Sequence, residues 1–193
     1  MLKAARTGDA PAVRAALDRG ARVEARDAKR RTSLLLAATG DHIEAAEALV
    51  EAGADPDALD WRHDTPWLVT GVTGSVKMAR VLAAAEPDYT LVNRYGGTSL
   101  IPASERGHAD YVREVLTNPD IRIDVDHVNR LGWTALLEAV ILGDGGRDHQ
   151  RVVELLLDAG ADPGLADKKG VTARQHAENR GFTALARLLP ARG

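Results

Sequence analysis

The chain has 193 residues, 45% apolar and 27% charged, with a net charge of −3 and no cysteine; it is long enough to bury a core, and disulfides, thiolate metal sites and cysteine nucleophiles are excluded. Aromatics make up only 4% while Ala and Leu abound, a balance that favours close-packed helices over a sheet sandwich. No apolar run approaches the roughly 20 residues of a membrane span, and the opening MLKAARTGDAPAV lacks the apolar core of an export signal. A soluble, cytoplasmic protein is expected, or a periplasmic one if a signal has been removed.

In chain order, LKAARTGDAPAVRAALDRGARVEA reads as a shortened first unit, a helix pair with no leading turn. From Thr32, TSLLLAATGDHIEAAEALVEAGADPDA starts a pattern that returns at Thr65 and Thr98, each 33 residues on, and at Thr134 and Thr172 after 36 and 38. About six units result, at 1–26, 27–59, 60–92, 93–128, 129–166 and 167–193, all in a single domain over 1–193. In each full unit the threonine is expected to cap a first helix, with Pro66 at the first helical position, where its missing N–H costs nothing. A short turn follows, often with glycine (Gly74, Gly107, Gly143), then a second apolar stripe such as Val152, Val153, Leu155 and Leu156. GAD at Gly53 to Asp55 and at Gly160 to Asp162 ends the second helix through a left-handed glycine. A helix pair of this size cannot bury its apolar faces alone, so neighbouring units must stack.

The fifth unit carries about five extra residues around GDGG, read as a loop inserted after Gly143 between two helices. A phosphate cradle needs glycine amides at a helix start and a following Lys, as in G-x-x-x-x-G-K-[ST]; here no Lys follows, and Asp144 and Asp148 would repel an anion. The loop reads as a long turn with Asp148 capping the second helix, and Asp144, Arg147 and His149 are its candidate partner contacts. Catalytic signatures do not emerge. The six histidines fall in different units without metal-ligand spacing, the serines lack a G-x-S-x-G context, and Asp124 with Asp126 sits in a turn. No cofactor, metal or small-molecule substrate is implied.

The residues before each threonine, DAKRR, DWRHD, NRYGG, NRLGW and DKKGV, are basic, and their Asp or Asn openers read as turn formers that bond their own backbone. Trp61, Tyr95 and Trp133, with Arg62, Arg94, Arg106 and Arg130, form the candidate partner-binding set, since Trp, Tyr and Arg are enriched at interface hot spots. Acidic residues (Glu44, Glu47, Glu51, Glu114, Glu154, Asp158) gather instead on the second helices.

The 33-residue period, the T-x-L-x-x-A motif and the G-A-D helix end resemble ankyrin repeats across practically the whole chain. NRYGGTSLIPASERGH, GWTALLEAVILGDGG and VTARQHAENRGF further resemble a group of small bacterial ankyrin-repeat proteins. The resemblance implies an all-α, ankyrin-repeat solenoid of helix-turn-helix units joined by hairpin loops. It also implies a non-enzymatic scaffold or regulator that binds other proteins on a concave surface of turn tips and first helices, and a bracing role for His108 beside its inter-helix turn. This sequence departs from the family at the histidine after T-P-L, replaced by Leu35, Leu68, Ile101, Leu137 and Gln175. It departs again at the turn glycine, kept as Gly96, Gly132 and Gly170 but replaced by Arg30 and His63. An acidic or extended protein partner suits the basic tips. Nucleic-acid binding along the same edge is the alternative, disfavoured by the net negative charge and acidic openers; an accessory role to an enzyme is another.

Overall fold

The computed structural model describes residues 1–190. Twelve helices, in six pairs, are found among the described residues, and the chain divides into two compact units, Met1–Arg94 and Tyr95–Gly193. The first holds α1 (Leu2–Thr7), α2 (Ala10–Asp18), α3 (Ser33–Thr39), α4 (Ile43–Glu51), α5 (Pro66–Thr73) and α6 (Val76–Ala83). Its first helices pack on one another, α1 on α3 and α3 on α5, and so do its second helices, α2 on α4 and α4 on α6. The second unit holds α7 (Leu100–Glu105), α8 (Ala109–Thr117), α9 (Ala135–Ile141), α10 (Arg147–Asp158), α11 (Ala173–Asn179) and α12 (Thr183–Leu188), layered the same way. Each is a length of helical-repeat solenoid, the all-α class expected.

Between the two helix layers lie the apolar stripes. Leu34, Leu49, Trp67, Met78 and Leu82 are sealed in the first unit, and Leu100, Tyr111, Leu136, Leu156 and Leu185 in the second. Each such side chain contributes about 1.5–3 kcal/mol on burial, which compensates for helices too short to persist alone. Leu35, Leu68, Ile101 and Leu137, at the positions where the repeats this sequence resembles carry histidine, join this core.

Threonine caps hold at four of five positions. The hydroxyls of Thr32, Thr65, Thr134 and Thr172 accept from the amides of Leu35, Leu68, Leu137 and Gln175, and Thr172 completes a capping box with Gln175. Thr98 breaks the rule: α7 starts late, after Ser99 in helical conformation, and the Thr98 hydroxyl is buried without a partner. The cause is Pro102. In the other units the amide four residues after the threonine donates to its carbonyl, as Leu36, Val69, Glu138 and His176 do; proline has no N–H to give. Pro102 therefore fits the helix but removes the bond that fixes its first turn.

Turn geometry is retained where glycine is lost. Arg30 and His63 adopt φ of 59° and 63°, matching Gly96, Gly132 and Gly170 at 75°, 87° and 76°. Those two turns keep the backbone path and carry the strain of a left-handed non-glycine residue. Gly53 and Gly160 take φ of 77° and 90° just after α4 and α10, as the GAD motif requires.

The inserted loop differs from expectation in one respect. Asp148 does not cap α10; the N-cap is Gly146, and Asp148 lies inside the first helical turn. Gly143 lies in the inter-helix turn as expected, and the left-handed residue of the insertion is Gly145 at φ 72°. The connection is five residues (142–146) against three before α4 (40–42), and α10 has 12 residues against nine in α4, so two added residues lengthen the loop and three the helix. Helix propagation costs less than an equally long irregular loop, because each added residue makes its own backbone bond.

Candidate binding surface

Four hairpin tips are built by their opening residue. The Oδ1 of Asp27, Asp60, Asn129 and Asp167 accepts from the amides two and four positions on, at 2.6–3.1 Å. One oxygen of each of these side chains is thus committed to the turn, as expected, while Asp27 Oδ2, Asn129 Nδ2 and Asp167 Oδ2 bond Arg31, Glu138 and His176. Successive tips are tied side by side: Trp61 N donates to Lys29 O at 3.2 Å, and Arg130 N to Tyr95 O at 2.9 Å.

In the first unit the indole of Trp61 is 57% exposed, and the Arg62 guanidinium lies 5.8 Å from its ring centre, within cation–π range. Arg62 also reaches Asp64 at 4.0 Å, and Arg94 acts on the same carboxyl. Burial, then the neighbouring Asp60, raises the Asp64 pKa against these two cations. Lys29 and Arg30 are exposed, whereas Arg31 is held by Asp27 at 2.7 Å.

In the second unit Tyr95 is 55% exposed and is joined by two apolar side chains that sequence reasoning passed over, Val128 and Leu131. A β-carbon at Gly96 would stand 2.8 Å from Arg130 Cγ, and one at Gly132 2.7 Å from Lys168 Cγ. Each tip glycine therefore lets the cation of the next tip lie across it, and Lys168 Nζ donates back to Arg130 O at 2.6 Å. Trp133 is half-buried, its main chain closing the tip against Asn129. Arg106 is exposed but stands at the far end of α7, ~9 Å of helix rise from the tip side, so it does not join Tyr95 and Arg130.

His149 faces inward, not outward. It is buried, with Nε2 2.9 Å from Glu105 O and Nδ1 2.8 Å from Asp144 Oδ1. Both partners are acceptors, so the two bonds coexist only when both ring nitrogens carry hydrogen. His42 makes the equivalent bond to Arg6 O at 3.1 Å, one repeat-end carbonyl to the next unit's histidine. The signal was present in the sequence: His42 lies ten residues after its threonine, and His149 fifteen after Thr134, the difference being the insertion. Asp144 also accepts from Gly146 N at 2.7 Å; that bond first, then His149, lowers its pKa. Phe182 packs against Gly145, Arg180 stacks on Phe182 at 4.5 Å, and Arg180 also donates to the carbonyls of Val140 and Ile141. The loop is a pinned structure, and the exposed groups on it and on the first turn of α10 are Leu142, Asp144, Arg147 and Asp148.

The sequence reading also missed Glu138. It is buried on α9, accepts from Asn129 Nδ2 at 2.8 Å, and has its pKa pushed up to about 7 by burial and then by Glu105. Among the described residues no helix is long and apolar enough to cross a membrane, and no group of three His, Asp or Glu could hold a metal ion.

Comparison with known proteins gives one consistent result. The family described as ankyrin repeats (3 copies) matches residues 68–167, and the single ankyrin repeat matches 29–61. The ankyrin repeat protein YahD of Escherichia coli (strain K12) is 38% identical over 192 residues, covering all of this chain and 94% of that protein. An ankyrin repeat domain from Acinetobacter baumannii AYE superposes with a TM-score of 0.91 at 45% identity, covering 97% of this chain and 94% of the other. EF0377, another ankyrin repeat protein, gives 0.92 at 37% identity, with the same coverage.

Proposed function

Because this chain belongs to the ankyrin-repeat family, whose repeats are protein–protein interaction modules and in general non-enzymatic, we propose that it is a binding scaffold or regulator without chemistry of its own, taking an acidic or extended segment of a partner protein at its hairpin tips. The observation that carries this reading is the exposure of Trp61, with Arg62 on the same tip, and of Tyr95, with Arg130 of the next tip lying across Gly96 beside it. Large aromatics left more than half in water, beside cations, are a cost to an isolated protein and a gain to a complex. The proposed contacts are Trp61, Arg62 and Arg94 in the first unit and Tyr95, Arg130 and Trp133 in the second, with Leu131 added. Arg106 is a separate contact at the other end of α7. Asp144 and Arg147 are the loop groups a partner can reach, His149 being engaged inward. The expectation of one repeat domain in the cytoplasm remains part of this proposal.

The test is a pull-down from host lysate, read by mass spectrometry, with the wild-type chain beside a folded W61A/Y95A/W133A variant. A protein held by the first and lost by the second supports the reading. A partner retained equally by both places the interface elsewhere, and nucleic acid recovered alone replaces the reading with its alternative.

A further inference from the structure

We propose that the Glu138 carboxyl is a proton-operated latch on the 129–133 hairpin tip, holding Arg130, Leu131 and Trp133 in their present arrangement while uncharged and loosening them as it ionises. One carboxamide makes the connection. Asn129 is buried; its Nδ2 donates to Glu138 Oε1 at 2.8 Å, and its Oδ1 accepts from Leu131 N at 2.9 Å and Trp133 N at 3.1 Å. The Asn129 side chain therefore joins the Glu138 carboxyl on α9 to the Leu131 and Trp133 amides, beside the main-chain bonds Asn129 N to Trp133 O and Arg130 N to Tyr95 O and the Lys168 Nζ bond to Arg130 O that also hold the tip. This tie is not common to all repeats. The positions that match Glu138 are Leu36, Val69 and Pro102 in three units, which offer no such bond; in the last unit the same nine-residue spacing pairs Asp167 with His176 at 2.9 Å.

Glu138 has no compensating cation. Of the helices packed on α9, α7 brings Glu105, a like charge, and ends at the exposed Arg106, while Arg147 and Asp148 at the start of α10 are also exposed and none of the three acts on Glu138. On α10, His149 is committed to Asp144 and Glu105 O, and Arg151 to Glu154. On α11, His176 is committed to Asp167, and Arg174 to Glu178 and Leu189 O; Arg180, just beyond, is held by main-chain carbonyls. Ionisation thus places an unpaired charge in a buried site, which is why the carboxyl titrates near neutral pH despite its bond from Asn129. The carboxylate gains water most readily if the tip parts from α9, since the tip is a surface edge and α9 is fixed on three sides. A negative charge bonded to Asn129, next in sequence to Arg130, also lessens the attraction of this tip for an acidic segment. Both effects act in one direction: tip order and acidic-partner binding are greater at pH 6 than at pH 8.

The functional consequence rests on the tip-binding reading; the latch itself does not. The test is a nitrogen-15 NMR titration of the full chain from pH 5.5 to 8.5, following the Leu131 and Trp133 amides and the Asn129 side-chain amide. The latch requires a shared transition near pH 7 that is absent in E138Q and displaced to lower pH in E105Q. Flat resonances in the wild type, or the same transition surviving in E138Q, overturn it. Should E138Q not fold, an unmoved midpoint in E105Q overturns it equally. Because no partner is present in this experiment, its failure leaves the tip-binding reading intact.

Discussion

His149→Ala should be among the most damaging substitutions outside the apolar core. The imidazole fills a buried site and makes two bonds, one to Glu105 O on α7 and one to Asp144 in the inserted loop. A net hydrogen bond is worth about 1 kcal/mol, and the one to Asp144, whose carboxyl is mostly in water, deserves less. Leaving Glu105 O without its donor and losing the ring's packing add to this, for a total of about 2–3 kcal/mol. In a chain of this length that lowers Tm by about 5–10 °C. His42→Ala is the internal control: it loses one bond of 3.1 Å from a half-buried ring, worth about 1 kcal/mol. Urea unfolding of both variants, followed by circular dichroism, compares the two directly. If His149→Ala costs no more than His42→Ala, the loop is not pinned as described and His149 returns to the list of partner contacts.

Gly143→Ala should also destabilise, since its β-carbon would meet Ala139 O at 2.2 Å and His149 Cδ2 at 2.4 Å; a thermal melt unchanged from wild type would refute the close approach. Thr134→Ala should cost about 1 kcal/mol as a lost cap, while Thr98→Val should be neutral or stabilising because its hydroxyl is unpartnered; chemical denaturation decides, and equal costs contradict the account. The raised pKa of Glu138 means that the folded chain binds a proton the unfolded chain has released. That stability is fully present below about pH 4.5 and is lost as pH rises to about 7, and E138Q should remove this share of the slope. Binding of an acidic segment to the tips should weaken steeply with salt; an affinity unchanged from low to high salt refutes the electrostatic part.

Much of this fold could be read residue by residue, because its signals are local. Thr32, Thr65, Thr134 and Thr172 each cap within three residues, and the turn position two before the threonine imposes a left-handed backbone even on Arg30 and His63. Where the reading missed, a second residue intervened. Pro102 disables the Thr98 cap from four positions away, and the insertion shifts His149 out of the ten-residue register that identifies His42. Of the candidate contacts, the exposed character of Trp61 and Tyr95 was legible as aromatic residues in turns, but the half-burial of Trp133 and the distance of Arg106 from the tip depend on packing. Glu138 was invisible because an acid in T-A-L-L-E-A looks like an ordinary exposed helix residue; only tertiary structure shows it buried beneath Asn129.

The most direct test of the central claim is amide hydrogen exchange on the chain with and without the partner captured by the pull-down. Binding at the tips requires added protection at 27–31, 60–64, 93–97, 129–133 and 167–171, with the second helices unchanged. Protection confined to α4, α6, α8 and α10 would contradict the account and assign binding to the acidic face.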